Sequence, residues 1–174
     1  MEPCDTPYTI SLNTWTESPN GDPEWVFMLN RHDFLNKLWY AYVLTGNRAY
    51  TKKLRFFILD WIEKNPITID GTDATRTIDT GIRCMNWSNL LLHLLAENCI
   101  SDADAELIIN SIRDQYINMK NRYIGKYALS NWGVLQTTAI CAGSVWLSGF
   151  VPEQVTRWAW DELKLQLSLQ ILGD

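Results

Sequence analysis

The chain has 174 residues, a formal net charge of −5 and 47% hydrophobic residues. That length supports one domain with its own core, and that hydrophobicity excludes disorder by composition. The acidic balance argues against a general nucleic-acid binder, which needs a basic surface to displace counterions, while leaving room for a local basic groove.

Residues 1–29 are rich in Pro, Thr, Asn and Gly and read as an irregular lead-in, with Trp15 and Trp25 placed to anchor it. Met1-Glu2-Pro3 is followed by no apolar run of the kind a signal peptide carries, which leaves the native compartment open. From Asn30 the pattern turns helical. Leu35, Leu38, Trp39, Tyr42 and Val43 follow amphipathic spacing, and Gly46 suits a left-handed cap. The spacing returns at Leu54, Phe57, Ile58, Trp61 and Ile62, and Asn65-Pro66 ends that second helix. A third helix is expected from about Thr75 to Glu97. A fourth starts behind Ser101, a good N-cap followed by aspartates that suit the positive end of a helix dipole. A fifth begins near Ser130 and stops at Ser148-Gly149, and Pro152 fits the first turn of a sixth. No stretch alternates with period two for long, and no run is apolar enough to span a membrane. The class is all-α, about three antiparallel helical hairpins in series. Periodicity leaves bundle, solenoid and α/α toroid open.

Nine Trp and seven Tyr suit either a sugar-stacking groove or the space between long helices, and composition alone favours the second. Four cysteines and two histidines show no metal-ligand spacing, and no cofactor motif is visible. Cys84, Cys99 and Cys141 sit in apolar helical stretches and read as buried free thiols. Three polar groups stand out. Asn30-Arg31-His32 precedes the first helix, where cap or surface roles are equally open. In "TIDTGIRCMNW", Asp79 and Arg83 are four apart and Arg83, Asn86 and Trp87 share a face, which a plain helix salt bridge also explains. Ser130-Asn131-Trp132 opens the fifth helix, where simple capping is the alternative.

"WVFMLNRHDFLNKLWYAYVLTGNRAY", "LDWIEKNP", "TIDTGIRCMNW" and "SNWGVLQTTAICAG" followed by "FVPEQVTRWAWDELKLQLSLQILGD" resemble, in that order, the N-terminal toroid of heparinase II/III-type polysaccharide lyases. The resemblance covers nearly the whole chain from Trp25. It implies an incomplete α/α toroid over residues 30–174. It also implies β-elimination on a uronic-acid polysaccharide, heparan-sulfate-like or alginate-like, as the activity of a longer parent. Asn131 then corresponds to the carboxylate-neutralising amide, in a helix first turn that favours anions. Arg31, His32 and Arg83 become candidates for carboxylate or sulfate contacts; Asn86 joins them, and Trp87 and Trp132 border the sugar. Relatives often carry His where Trp132 stands. The family's Tyr-His segment and β-sandwich follow beyond an Asp-Gly like Gly173-Asp174, so the chain is expected to be a fragment without useful activity alone, with self-association through uncovered inner-helix surface. The partner is expected to be acidic polysaccharide, not nucleic acid or membrane, with no metal or cofactor. A non-catalytic carbohydrate-binding toroid and a helical protein scaffold are the competing readings. A hydrolase needs a second carboxylate across the groove, and Asp79 has no obvious mate.

Overall fold

The computed structural model describes residues 8–9 and 15–171. Met1-Glu2-Pro3, Cys4 and Gly173-Asp174 lie outside the described residues. The elements are α1 (Pro23–Asn30), α2 (Phe34–Thr45), α3 (Ala49–Lys64), α4 (Thr77–Ala96), α5 (Asp102–Asn121), α6 (Asn131–Trp146) and α7 (Glu153–Gln170). Short 3-10 turns at Asp73–Thr75 and Gly125–Leu129 precede α4 and α6, and no strand occurs among the described residues. No described helix is long and apolar enough to cross a membrane.

Each boundary has a local cause. Gly46 caps α2 with φ 65°, a left-handed conformation that costs a glycine nothing. The Ser101 side chain accepts from the Asp104 N–H and starts α5. Pro152 occupies the N-cap of α7, one position earlier than expected. The stretch read as an irregular lead-in contains α1. Its start is coded by Asp22, whose side chain accepts from the Glu24 N–H, and by Pro23, whose missing N–H is harmless in a first turn.

The helices form two layers. Helices α2, α4 and α6 neighbour one another in one, and α3, α5 and α7 in the other, with α2–α3, α4–α5 and α6–α7 packed as hairpins across them. The core between the layers contains Leu54, Ile58, Trp61, Trp87, Leu90, Leu91, Leu94, Ile108, Ile112 and Met119, all fully buried. Each such side chain stabilises the fold by roughly 1.5–3 kcal/mol relative to exposure. Trp61 and Trp87 meet edge to face at 5.3 Å between ring centroids. Trp15 is fully buried and Trp25 half-buried, so both tryptophans of the lead-in engage the body. Cys84 and Cys141 are buried free thiols, and burial pushes them up to about 12 and about 11. Cys99 lies beyond the end of α4 and is only half-buried, because the helix ends at Ala96 rather than running into the apolar Cys99-Ile100 pair.

Candidate functional site

The first turn of α6 is open. Ser130 occupies its N-cap position, but its hydroxyl donates back to the Tyr127 carbonyl instead of accepting from the helix. The Gly133 N–H donates to the Ser130 carbonyl at 3.1 Å, and the Asn131 and Trp132 N–H groups are left without a side-chain cap at the positive end of the dipole. Asn131 is the first helical residue, exposed, and its amide has no hydrogen-bond partner among the described residues. It is not a capping residue. The neighbouring Trp132 ring stacks on Tyr127 at 5.6 Å and 29°, and with Lys126 and Ser130 these rings line a hollow of about 330 Å³.

Gly133 sets this wall. A side-chain carbon there would lie 2.2 Å from the Tyr127 carbonyl oxygen. Only glycine lets the 3-10 turn lie against α6 closely enough to keep Tyr127 on Trp132. Behind the hollow, the Tyr123 hydroxyl donates to Glu162 Oε1 at 2.7 Å and accepts from Gln166 Nε2 at 2.8 Å. Burial, then the Glu162 contact, pushes the Tyr123 hydroxyl well above its ordinary value.

Two guanidinium groups share the Asp79 carboxylate, and one of them, Arg76, adjoins Trp132. The Asp79 carboxylate, fully buried in the first turn of α4, accepts Arg31 Nε at 2.7 Å on one oxygen and Arg76 Nε on the other. Arg76 lies over Phe27, 3.5 Å from the ring centroid, and 5.3 Å from the centroid of Trp132. Both guanidiniums remain about one-fifth exposed. A larger hollow of about 530 Å³ lies elsewhere, between the end of α3 and α5. Its Asn65 and Asn118 amides are committed to the carbonyls of Trp61 and Thr68, so it gathers less unpaired polar chemistry.

A family profile described as Heparinase II/III N-terminus matches residues 8–174. The chain belongs to the heparinase II/III N-terminal family. No curated protein and no solved structure matches it.

Within this heparinase II/III domain the expected site residues divide into two groups. Asn131, Trp132 and Arg31 reach the surface near the mouth of α6 or the Asp79 cluster. Arg83, His32 and Trp87 do not: all three are fully buried. Arg83 donates Nε and Nη2 to Gln115 Oε1, Nη1 to the carbonyls of Asn30 and Ala74, and Nη2 to Thr80 Oγ1, while stacking 3.9 Å from the centroid of Trp61. The helix salt bridge read between Asp79 and Arg83 does not form, because Asp79 is taken by Arg31 and Arg76.

His32 turns the chain between α1 and α2 with φ 61° and sits among Trp15, Phe34, Trp61 and Trp87. Its Nδ1 accepts from the Trp87 indole N–H at 3.0 Å, which places the ring proton on Nε2, where it meets no partner. Burial, then Arg83, holds His32 well below its ordinary value, so the ring is neutral. Asn86 is half-buried and works as a clip: its amide donates to the Arg31 carbonyl at 2.9 Å and to Asp33 Oδ1 at 2.7 Å, and accepts from Asn36.

Sequence reading missed Arg76, Glu24, Phe27 and Tyr127. The Arg76–Asp79 spacing of three was legible, but Asp79–Arg83 at four competed for the same carboxylate. Trp87, one turn beyond Arg83, marked that face as core.

Proposed function

We propose that the chain is the anion-gripping part of a polysaccharide lyase that cleaves uronic-acid polysaccharide, heparan-sulfate-like or alginate-like, by β-elimination, and that its two helical layers are an arc of an α/α toroid. The observation that carries this reading is the exposed, unpartnered Asn131 amide at an uncapped helix mouth beside stacked aromatic rings. The reaction removes the proton α to the uronate carboxylate, forms the carbon–carbon double bond and expels the glycosidic oxygen. While the carboxylate keeps its charge, that proton is only weakly acidic. The Asn131 amide and the uncapped Asn131 and Trp132 backbone N–H groups donate hydrogen bonds to the carboxylate and stabilise the charge that builds on it. A neutral amide does this without adding a cation that would hold the product. Trp132 and Tyr127 offer a face to the sugar, and Arg31 contacts a second acidic group. His32, Arg83, Asn86 and Trp87 hold the walls and do not touch substrate.

Proton transfer needs a group within reach of the sugar. His32 is sealed in the core, His93 stacks on Trp39 at 4.8 Å, and Tyr123 is bound to Glu162. Tyr127, the phenol at the hollow, has no carboxylate or imidazole beside it among the described residues lining the hollow to relay its proton. These placements favour binding without turnover by this chain. The test combines calorimetric titration with alginate and heparan oligosaccharides and an ultraviolet assay for unsaturated uronate. Saturable binding of acidic but not neutral oligosaccharides, with no absorbance gain, is expected. Robust turnover contradicts the proton-relay argument, and absence of acidic-saccharide binding contradicts the site.

A further inference from the structure

Arg76 has a geometry that folding alone does not require. Its Nε is fixed on buried Asp79, its plane is held over Phe27 and near Trp132, and its Nη2 has no hydrogen bond among the described residues. Its Nη1 meets only Glu24, at 3.4 Å, and that carboxylate is more than half exposed. Arg31, on the other oxygen of Asp79, keeps both terminal nitrogens without a partner among the described residues. Arg76 also lines a second hollow of about 260 Å³, with Phe27, Thr72 and Arg122 and with exposed Asp70 and Asp73. It thus stands between that hollow and the aromatic hollow of Trp132.

We propose that Arg76, seconded by Arg31, is a substrate-binding residue that takes the oxyanion of the sugar next to the one held by Asn131, and that Glu24 occupies its place until the saccharide arrives. This rests on reading the mouth of α6 as an acidic-polysaccharide site. A guanidinium pre-set on a buried carboxylate loses little freedom when it binds, and its remaining N–H groups suit a carboxylate or a sulfate ester. Glu24 is a weak holder: the contact is long, and an exposed pair of this kind contributes little. A saccharide oxyanion therefore displaces it at small cost. In the second hollow the exposed Asp70 and Asp73 face Arg122, whose Nη1 already donates to the Thr75 carbonyl, so that side offers an anion less net positive charge than the Arg76–Arg31 end.

The test is a calorimetric titration of the full chain and its variants with three oligosaccharides: a carboxylate-only oligouronate, a sulfated heparin fragment and a neutral glucan. Arg76→Gln is expected to weaken the acidic ligand that the site prefers about tenfold or more, and to reduce the salt dependence of binding. Arg76→Lys is expected to recover part of the loss. Glu24→Gln, at an exposed position, is expected to tighten acidic ligands severalfold with an unchanged unfolding midpoint, an effect that a merely structural contact would not give. A larger loss with heparin than with oligouronate assigns the position to sulfate, and the converse to carboxylate. If Asn131→Ala weakens acidic-saccharide binding while Arg76→Gln and Glu24→Gln leave it at the wild-type value, this inference is overturned and the reading of α6 stands. If the wild-type chain binds neither acidic ligand, both fall.

Discussion

Replacing Arg83 by alanine separates a wall residue from a substrate contact. The substitution removes every donor that serves Gln115 Oε1 and the Asn30 and Ala74 carbonyls, at a position with no exposure. Each acceptor left unsatisfied in the interior costs about 1–3 kcal/mol. The void and the lost stacking on Trp61 add about 2 kcal/mol more. Against this, the change relieves the desolvation of a buried guanidinium with no carboxylate bonded to it, the burial that lowers Arg83 to about 10. That relief is about 3 kcal/mol, so with three acceptors orphaned the net loss is about 2–8 kcal/mol, a large part of a typical domain's stability. Urea unfolding followed by circular dichroism reads it directly. Arg83→Lys keeps the charge but not the fork, so it is expected to fall between wild type and alanine. A wild-type midpoint in Arg83→Ala, accompanied by loss of saccharide affinity, would make Arg83 a substrate contact and not a wall residue.

His32 supplies a pH signature. It is neutral in the fold, and an unfolded histidine titrates near 6.5. Below about pH 6.5 the unfolded chain takes up the proton first. Stability is therefore unaffected by this group above that pH and falls below it, by up to about 1.4 kcal/mol per pH unit, until the folded ring also protonates. His32→Asn, which tolerates the left-handed backbone, should flatten that acid slope in urea midpoints measured from pH 7 to pH 5. An unchanged slope would mean that other groups carry it. Gly133→Ala would drive a carbon into the Tyr127 carbonyl; a loss of about 2 kcal/mol or more is expected, with a change in near-ultraviolet circular dichroism from the Trp132–Tyr127 stack. Trp160, Leu165, Leu167 and Leu169 leave large apolar area exposed along α7. Concentration-dependent self-association is expected by light scattering, and a strict monomer at high concentration contradicts it.

The layered helices were legible because their signals are local. Apolar spacing, Gly46, Asn65-Pro66 and Ser101 each act within one or two turns, and α2, α3 and α5 start or stop beside them. Helix α1 escaped because Pro, Asn and Gly dominate its surroundings, although Asp22-Pro23-Glu24 is itself a start signal. At Asn131 the sequence showed an amide at a helix start, and the structure adds that it is exposed and unpartnered among the described residues, which is what the proposed site rests on. The roles of Arg83 and His32 were not legible. Which way a guanidinium points depends on whether distant groups can satisfy it, and Gln115, Asn30 and Ala74 come from separate elements. The same long-range packing turns Arg76 outward onto Phe27 and Trp132, a contact that no spacing rule reports.

The proposed grip on the substrate carboxylate turns on Asn131, and calorimetry on its alanine and aspartate variants decides it. With an oligouronate that the wild-type chain binds, Asn131→Ala is expected to lose about tenfold or more in affinity, the size of a hydrogen bond to a charged group. Asn131→Asp is expected to lose more, because it sets a carboxylate against a carboxylate. The alanine variant should unfold at the wild-type midpoint since the side chain has no partner among the described residues, and the aspartate variant at or slightly above it because a carboxylate suits the helix start. Wild-type affinity in both variants would contradict the claim that this amide grips the substrate.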